Sequence, residues 1–271
     1  MKTISTLLFT LLSCVLATAQ HSLQQLWVSD STLQHPESVL LDTKAKVLYV
    51  SNIGPFDTQG TGSISKMGLD GKIIKNDWVT GLTATKGLGL YKNQLYAAEN
   101  SAVAVVDISS GKIVNRIVID GSEMINDITV DKNGIVYASD SKTGKVHKID
   151  KGKASVYLEN LNGINGLLAV GSDLYILAGT TMHKADTNKK LSVFAEGIEG
   201  GADGIEMAAP NEFIVTGWGG TIYYVKNGSA QLLQDTRARK INAADLGYDQ
   251  ATKTLYIPQM LSNSVCAYKL N

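Results

Sequence analysis

The sequence predicts an all-β fold, a six-bladed β-propeller with four-stranded blades around a central channel. Three observations predict it. Pairs of the Leu-Tyr type recur at Leu48-Tyr49, Leu95-Tyr96, Val136-Tyr137, Leu174-Tyr175, Phe213-Ile214 and Leu255-Tyr256, with second members 47, 41, 38, 39 and 42 residues apart. Each pair follows a turn-like segment and is trailed by a second hairpin signal, as in Lys142-Thr-Gly-Lys145 or Lys226-Asn-Gly-Ser229. Each repeat also starts on a short opener that breaks the apolar alternation. Four short strands in a period of about 40 residues is the pattern of a propeller blade, and six copies give six blades. A β-sandwich would also space its strands regularly, but it does not explain a four-strand cassette with an opener in the same place each time.

In chain order, residues 1–19 read as a secretory signal peptide. Lys2 is their only charge, Ile4 to Leu16 is almost wholly apolar, and Ala17-Thr-Ala19 is a small-x-small cleavage site. Leu11-Leu-Ser-Cys14 faintly resembles a lipoprotein box, but Leu12 fits it poorly and the apolar run continues past Cys14. Export to the periplasm or the medium is therefore expected rather than lipid anchoring. Residues 20–271 read as one propeller domain, since nothing in them resembles a linker or a charge block.

Removing the leader takes Lys2 from the 25 basic residues and leaves 24 against 25 acidic. Such a balance offers no footprint for nucleic acid or an anionic membrane, and a monomer is expected. Only Cys266 survives processing, so no intramolecular disulfide can form. The four histidines, His21, His35, His147 and His183, follow no zinc-ligand spacing.

Residues 21–34 are expected to form an outer strand, completed by residues 265–270 at the other end of the chain. A ring closed that way leaves no sheet edge at the join. The widest interval, the first, holds Pro55 to Gly62, a Gly/Thr-rich insertion that reads as a loop over one face. The third repeat, residues 124–139, shows the unit most plainly. Asn126-Asp127 opens an apolar alternation through Ile128 and Val130, Asp131 to Gly134 turns the chain, and Ile135 to Ala138 returns.

The openers are Pro36-Glu-Ser38, Lys86-Gly-Leu88, Asn126-Asp127, Asn165-Gly166, Asp203-Gly204 and Ala244-Asp245. Innermost strands line the channel of a propeller, so these residues should meet at one of its ends. Glu37, Asn126, Asn165 and Asp203 would offer two carboxylates and two amide carbonyls. Oxygen-only donors suit one hard divalent cation, Ca²⁺ first, with Mg²⁺, Mn²⁺ or Zn²⁺ as alternatives. Taken singly, Asn165-Gly166 and Asp203-Gly204 would read as turns, and Asn126-Asp127 as a strand cap. Four oxygen ligands in one slot of four repeats favour the metal site.

These motifs carry a resemblance. His-Pro-Glu-Ser, Ile-Asn-Asp-Ile, Ile-Asn-Gly-Leu and Ala-Asp-Gly-Ile, in this order across residues 35–205, resemble the senescence marker protein/gluconolactonase (regucalcin-like) family. The resemblance spans about residues 35 to 260 and implies a six-bladed propeller holding one divalent metal through Glu37, Asn126, Asn165 and Asp203. It implies hydrolysis of a lactone or ester, with Asp203 as general base, or as the orienter of a metal-bound water. Trp218-Gly-Gly220 lies at a family-like distance after Asp203. Asn126, Asp127, Lys86 and Trp218 are the expected substrate contacts.

Three positions depart from the family pattern. Ser38 and Ile128 stand where it has glycine, and Met124 stands where its sugar-lactone enzymes carry an arginine. The last change favours hydrophobic or uncharged lactones. Tyr137-Ala-Ser-Asp140 also resembles strictosidine-synthase-like and NHL propellers, so a non-catalytic metal-containing binding or scaffold module is the competing reading. A Ser-His-Asp hydrolase lacks its nucleophile elbow here, and a quinone oxidoreductase lacks its histidine and basic residues.

Overall fold

A computed structural model describes residues 20–55 and 60–271. The proposed leader, with Cys14, and the middle of the Pro55–Gly62 insertion lie outside the described residues. The chain enters on β1 (Leu23–Val28). Blade one is β2 (Pro36–Asp42), β3 (Val47–Asn52), β4 (Gly62–Gly68) and β5 (Ile73–Leu82). Blade two is β6 (Leu88–Tyr91), β7 (Gln94–Glu99), β8 (Ala102–Asp107) and β9 (Lys112–Val118). Blade three is β10 (Ile125–Val130), β11 (Val136–Asp140), β12 (Lys145–Asp150) and β13 (Lys153–Leu158). Blade four is β14 (Ile164–Val170), β15 (Asp173–Ala178), β16 (Thr181–Ala185) and β17 (Leu191–Ala195). Blade five is β18 (Ala202–Ala209), β19 (Glu212–Gly217), β20 (Thr221–Lys226) and β21 (Ser229–Asp235). Blade six is β22 (Gly247–Asp249), β23 (Thr254–Gln259) and β24 (Ser264–Leu270), with β1 as its fourth strand.

All six sheets are antiparallel and four-stranded, and two three-residue 3-10 turns are the only helical segments among the described residues. The first strand of each blade touches the first strand of the next, from β2 round through β22 and back to β2, which closes a ring around the channel. β1 pairs with β24 from Leu23–Leu270 to Val28–Cys266, so the N-terminal segment supplies the outer strand of the last blade, as expected. Its strand is shorter than residues 21–34. Cys266 is free and buried on β24.

The repeated pair lies on the second strand of every blade, and its two members face opposite sides because side chains alternate along a strand. Leu48 packs with Tyr256 and Val265 in the gap between blades six and one, while Tyr49 packs with Leu88 and Leu95 in the gap between blades one and two. Leu255 and Tyr256 divide likewise between the two gaps flanking blade six. The core is thus six apolar seams between blades. Its period in sequence is the period of the seams.

The turns that precede these pairs place Lys46, Lys92, Gly134, Gly171, Asn211 and Lys253 at φ between 50° and 85°. That is the left-handed backbone of a tight hairpin turn.

Candidate metal-binding pocket at the channel mouth

Four blades open on a β-bulge. Register shifts fall between Pro36 and Val39, Ile125 and Ile128, Ile164 and Leu167, and Ala202 and Ile205. These are the blades whose openers hold Glu37, Asn126, Asn165 and Asp203. The inner strands of blades two and six pair with their second strands without a shift. A bulge frees residues from the ladder and re-aims their side chains, and bulges gather beside functional sites. The backbone N–H groups freed here find side-chain partners. Ser51 Oγ accepts from Ser38 N–H, Ser139 Oγ from Asp127 N–H, and Thr216 Oγ1 from Gly204 N–H, each at 2.9 Å.

Asn165-Gly166 and Asp203-Gly204 therefore lie in bulged strands, not in turns. Asn165 Nδ2 donates to Asp203 Oδ1. Asn126 Nδ2 donates to Ser141 Oγ at 3.0 Å, which fixes its amide and leaves the carbonyl free. Glu37 Oε2, Asn126 Oδ1 and Asp203 Oδ2 are buried and have no hydrogen-bond partner. Orphaned buried acceptors are rare and costly, and three of them gather in this one ring of openers. No group of three or more His, Cys, Asp or Glu is poised as a metal site among the described residues. The donors are two carboxylates and two amides, a set that fits a hard cation.

A second layer lies one residue deeper. Asp127 Oδ1 accepts the N–H of Ile128 and Oδ2 that of Leu167 in the next blade, both at 2.6 Å. Ser38 Oγ donates to Asp245 Oδ2 at 2.5 Å, and Asp245 N–H donates to Glu37 O at 3.0 Å. Asp127 and Asp245 are brackets that tie neighbouring inner strands together. For Asp127 this differs from the expected substrate contact, since both its oxygens are already bound to backbone.

Below the mouth runs a cavity of about 180 Å³, lined by Leu40, Leu168 and Thr129 and by the acids Asp127, Glu206 and Asp245. Burial and Asp203 hold the Glu37 carboxyl well above the usual range, with Asp245 adding and Lys86 opposing. Asp203 and Asp127 rise for the same reasons, burial first and then Asp245. Burial lifts Asp245 to about 7, and burial with Asp245 lifts Glu206 to about 8.

Lys86 is half-buried at the second opener, and burial lowers its pKa while Glu37 opposes that shift. Trp218 stands on the β19–β20 turn, its backbone N–H bonded to Gly201 O and the residue 43% exposed. Met124 immediately precedes β10, its N–H held at 3.1 Å by Asp140 Oδ1. Sequence reasoning missed Asp245 and Glu206. Asp245 stood among the openers but was not matched to Asp127, its counterpart in Asn126-Asp127, and Glu206 is the second acid of β18, inside the otherwise apolar stretch Ile205–Ala209.

The fold and pocket define a six-bladed β-propeller with an oxygen-lined channel mouth. Among solved structures it is similar to a streptogramin B lyase, at TM-score 0.67 and 11% identity over 93% of this chain and 98% of that one. It is equally similar to a virginiamycin B lyase from Staphylococcus aureus, at TM-score 0.67 and 14% identity over 93% of this chain and all of that one. A catalytically inactive His-to-Ala variant of the staphylococcal lyase, with quinupristin, matches at TM-score 0.66 and 13% identity. At these identities the likeness is one of fold. No family model and no curated protein matches the chain.

Proposed function

We propose that this chain is an exported, divalent-metal-dependent hydrolase of small lactones or related esters. The observation that carries the reading is the set of bulged openers with three buried, unpartnered oxygens at Glu37, Asn126 and Asp203. Glu37, Asn126, Asn165 and Asp203 would hold the cation, which would polarise the scissile carbonyl and stabilise the oxyanion formed from it. The amide of Asn165 holds one oxygen of Asp203 and leaves the other to take a proton from the attacking water. Burial and the neighbouring Asp245 raise the proton affinity of Asp203 in the metal-free protein, and a bound cation would oppose that shift. The water oxygen bonds to the acyl carbon as the ring C–O bond breaks. The ring oxygen recovers the proton, and the product is a hydroxy acid whose carboxyl group then ionises.

The lyases similar in fold bring a second chemistry to weigh. Their inactive variant lacks a histidine; here His35 directly precedes the first opener, with its Nδ1 3.0 Å from Gly54 O. His147 and His183 lie on the third strands of their blades, away from the channel. Hydrolysis needs only the oxygen ligands and a base.

The test is metal analysis of the purified full chain, followed by assay against a panel of uncharged lactones and esters. Chelation should abolish turnover, and added Ca²⁺, Mg²⁺ or Mn²⁺ should restore it. Folded, metal-loaded protein that hydrolyses no member of a broad panel would overturn the enzyme and leave the binding-module reading.

A further inference from the structure

Lys86 is the one cationic side chain among the six openers, and its surroundings are unusual for a lysine. Its Nζ donates to Ala84 O and to Asn100 Oδ1, both at 3.1 Å. Both acceptors are neutral. The Lys and Arg ion pairs among the described residues belong to Lys72, Arg116, Lys184, Lys226 and Arg237, and none involves Lys86. A half-buried ammonium is costly without an anion, and this one keeps one of its three N–H donors unspent.

Position decides what that donor faces. Asn100 O accepts the N–H of Ile125 at 2.9 Å, so the residue that anchors the ammonium also anchors the opener carrying Asn126. Lys86 and Glu37 also feel each other's charge. The ammonium therefore belongs to the blade between the first and third openers, anchored through Asn100 to the third and near enough to Glu37 of the first to feel its charge. A divalent ion would cancel the charges of Glu37 and Asp203, and the oxygens of Asp127 and Asp245 are turned to backbone and to Ser38 one layer deeper. Lys86 is then the cationic group among the openers with a donor left for an anion.

We propose that Lys86 is an anion anchor, and that the ligand it receives is the carboxylate of a hydroxy acid, held between the ammonium and the cation. This rests on the hydrolase reading, in which that carboxylate is created by ring opening. The expectation from Met124 is retained: the substrate is uncharged and the product is the species Lys86 holds. Cation and anion should then bind with positive coupling, each raising the affinity of the other by the same factor.

The experiment is calorimetric titration of the Ca²⁺-loaded full chain with 4-hydroxybutanoate, with neutral 4-hydroxybutanamide as the control. Lys86→Met should weaken the carboxylate at least tenfold and leave the amide unchanged, while Lys86→Arg should stay within about threefold of the parent. In Lys86→Met the carboxylate should also lose most of its ability to tighten Ca²⁺. Should Lys86→Met fail to fold, Lys86→Gln against Lys86→Arg gives the same comparison. The anchor is overturned if the parent does not bind the carboxylate, or if Lys86→Met binds it as tightly. It is equally overturned if Lys86→Met weakens the amide as much, or only tightens Ca²⁺, which would make the lysine a counter-ion of Glu37. Turnover with Lys86-independent binding removes the anchor alone. Lys86-dependent binding without turnover removes the hydrolase reading alone.

Discussion

At the residue scale the question is what each oxygen at the mouth is free to do. Asp203 has one oxygen tied to Asn165 and one orphaned, so it can serve a cation, a water or both. Asp203→Asn keeps the size and one ligand oxygen but removes charge and basicity. Its loss should appear in kcat, by roughly 10²-fold or more, with KM little changed. Glu37 is buried beside Asp203 and Asp245 and holds its proton well above the usual range until a cation replaces it. Glu37→Gln should weaken metal affinity, and excess metal should restore part of the activity. If Glu37→Gln lost kcat without recovery at saturating metal, Glu37 would be a catalytic group and the roles assigned here would be wrong.

At the element scale the bulge converts a strand end into a site. Gly204 in β18 sits against the next inner strand: a Cβ there would lie 2.5 Å from Asp245 Oδ1 and 2.7 Å from Asp245 Cα. Gly87 meets Asp127 at 2.5 Å in the same way. These glycines let a bracket acid approach its neighbour's backbone, a use distinct from turning the chain. Gly204→Ala should destabilise by about 1–3 kcal/mol, since backbone, not a flexible side chain, must give way. For a chain of this size that lowers Tm by roughly 2–10 °C, measurable by calorimetry. An unchanged Tm would mean that the inner strands are not locked by this contact.

The same element shows where sequence reading stops. The six seams were legible because alternation of apolar residues is local, and so Leu48-Tyr49 and its five counterparts announce the blades. The four oxygen-bearing openers that bulge were legible because a polar residue interrupting an apolar strand is conspicuous at a fixed place in each repeat. Whether Asn165-Gly166 and Asp203-Gly204 turn or bulge was not legible, because the answer depends on Asp203 O lying against Gly166 and Asp245 against Gly204, contacts across blades. Glu206 and Asp245 were missed for the same reason. Their chemistry comes from the closed ring, and no segment of the chain contains it.

At the scale of the whole molecule, ring closure by β1 and β24 gathers acids into one low-dielectric channel. Glu37, Asp127, Asp203, Glu206 and Asp245 all hold protons more tightly than ordinary carboxylates, through burial first, with Asp245 adding for the other four. In the unfolded chain such groups titrate near pH 4. Between about pH 4 and 8 the folded state therefore carries more protons than the unfolded one, and stability must fall as pH rises. The window is set by Asp245, pushed up to about 7, and Glu206, to about 8. A cation held as proposed would take the place of protons on Glu37 and Asp203, so its binding would release protons and stabilise more strongly at higher pH. In chelator, Tm should drop by several degrees from pH 5 to pH 8; with Ca²⁺ at about 100 times its Kd, a gain on the order of 2.7 kcal/mol should recover most of it at pH 8. Glu206→Gln removes one buried acid outside the ligand set. It should raise the metal-free Tm at pH 8 and leave it nearly unchanged at pH 5, where the folded parent already holds that proton. A metal-free Tm that climbs from pH 5 to pH 8 would show that these carboxylates are not buried together as the closed ring requires.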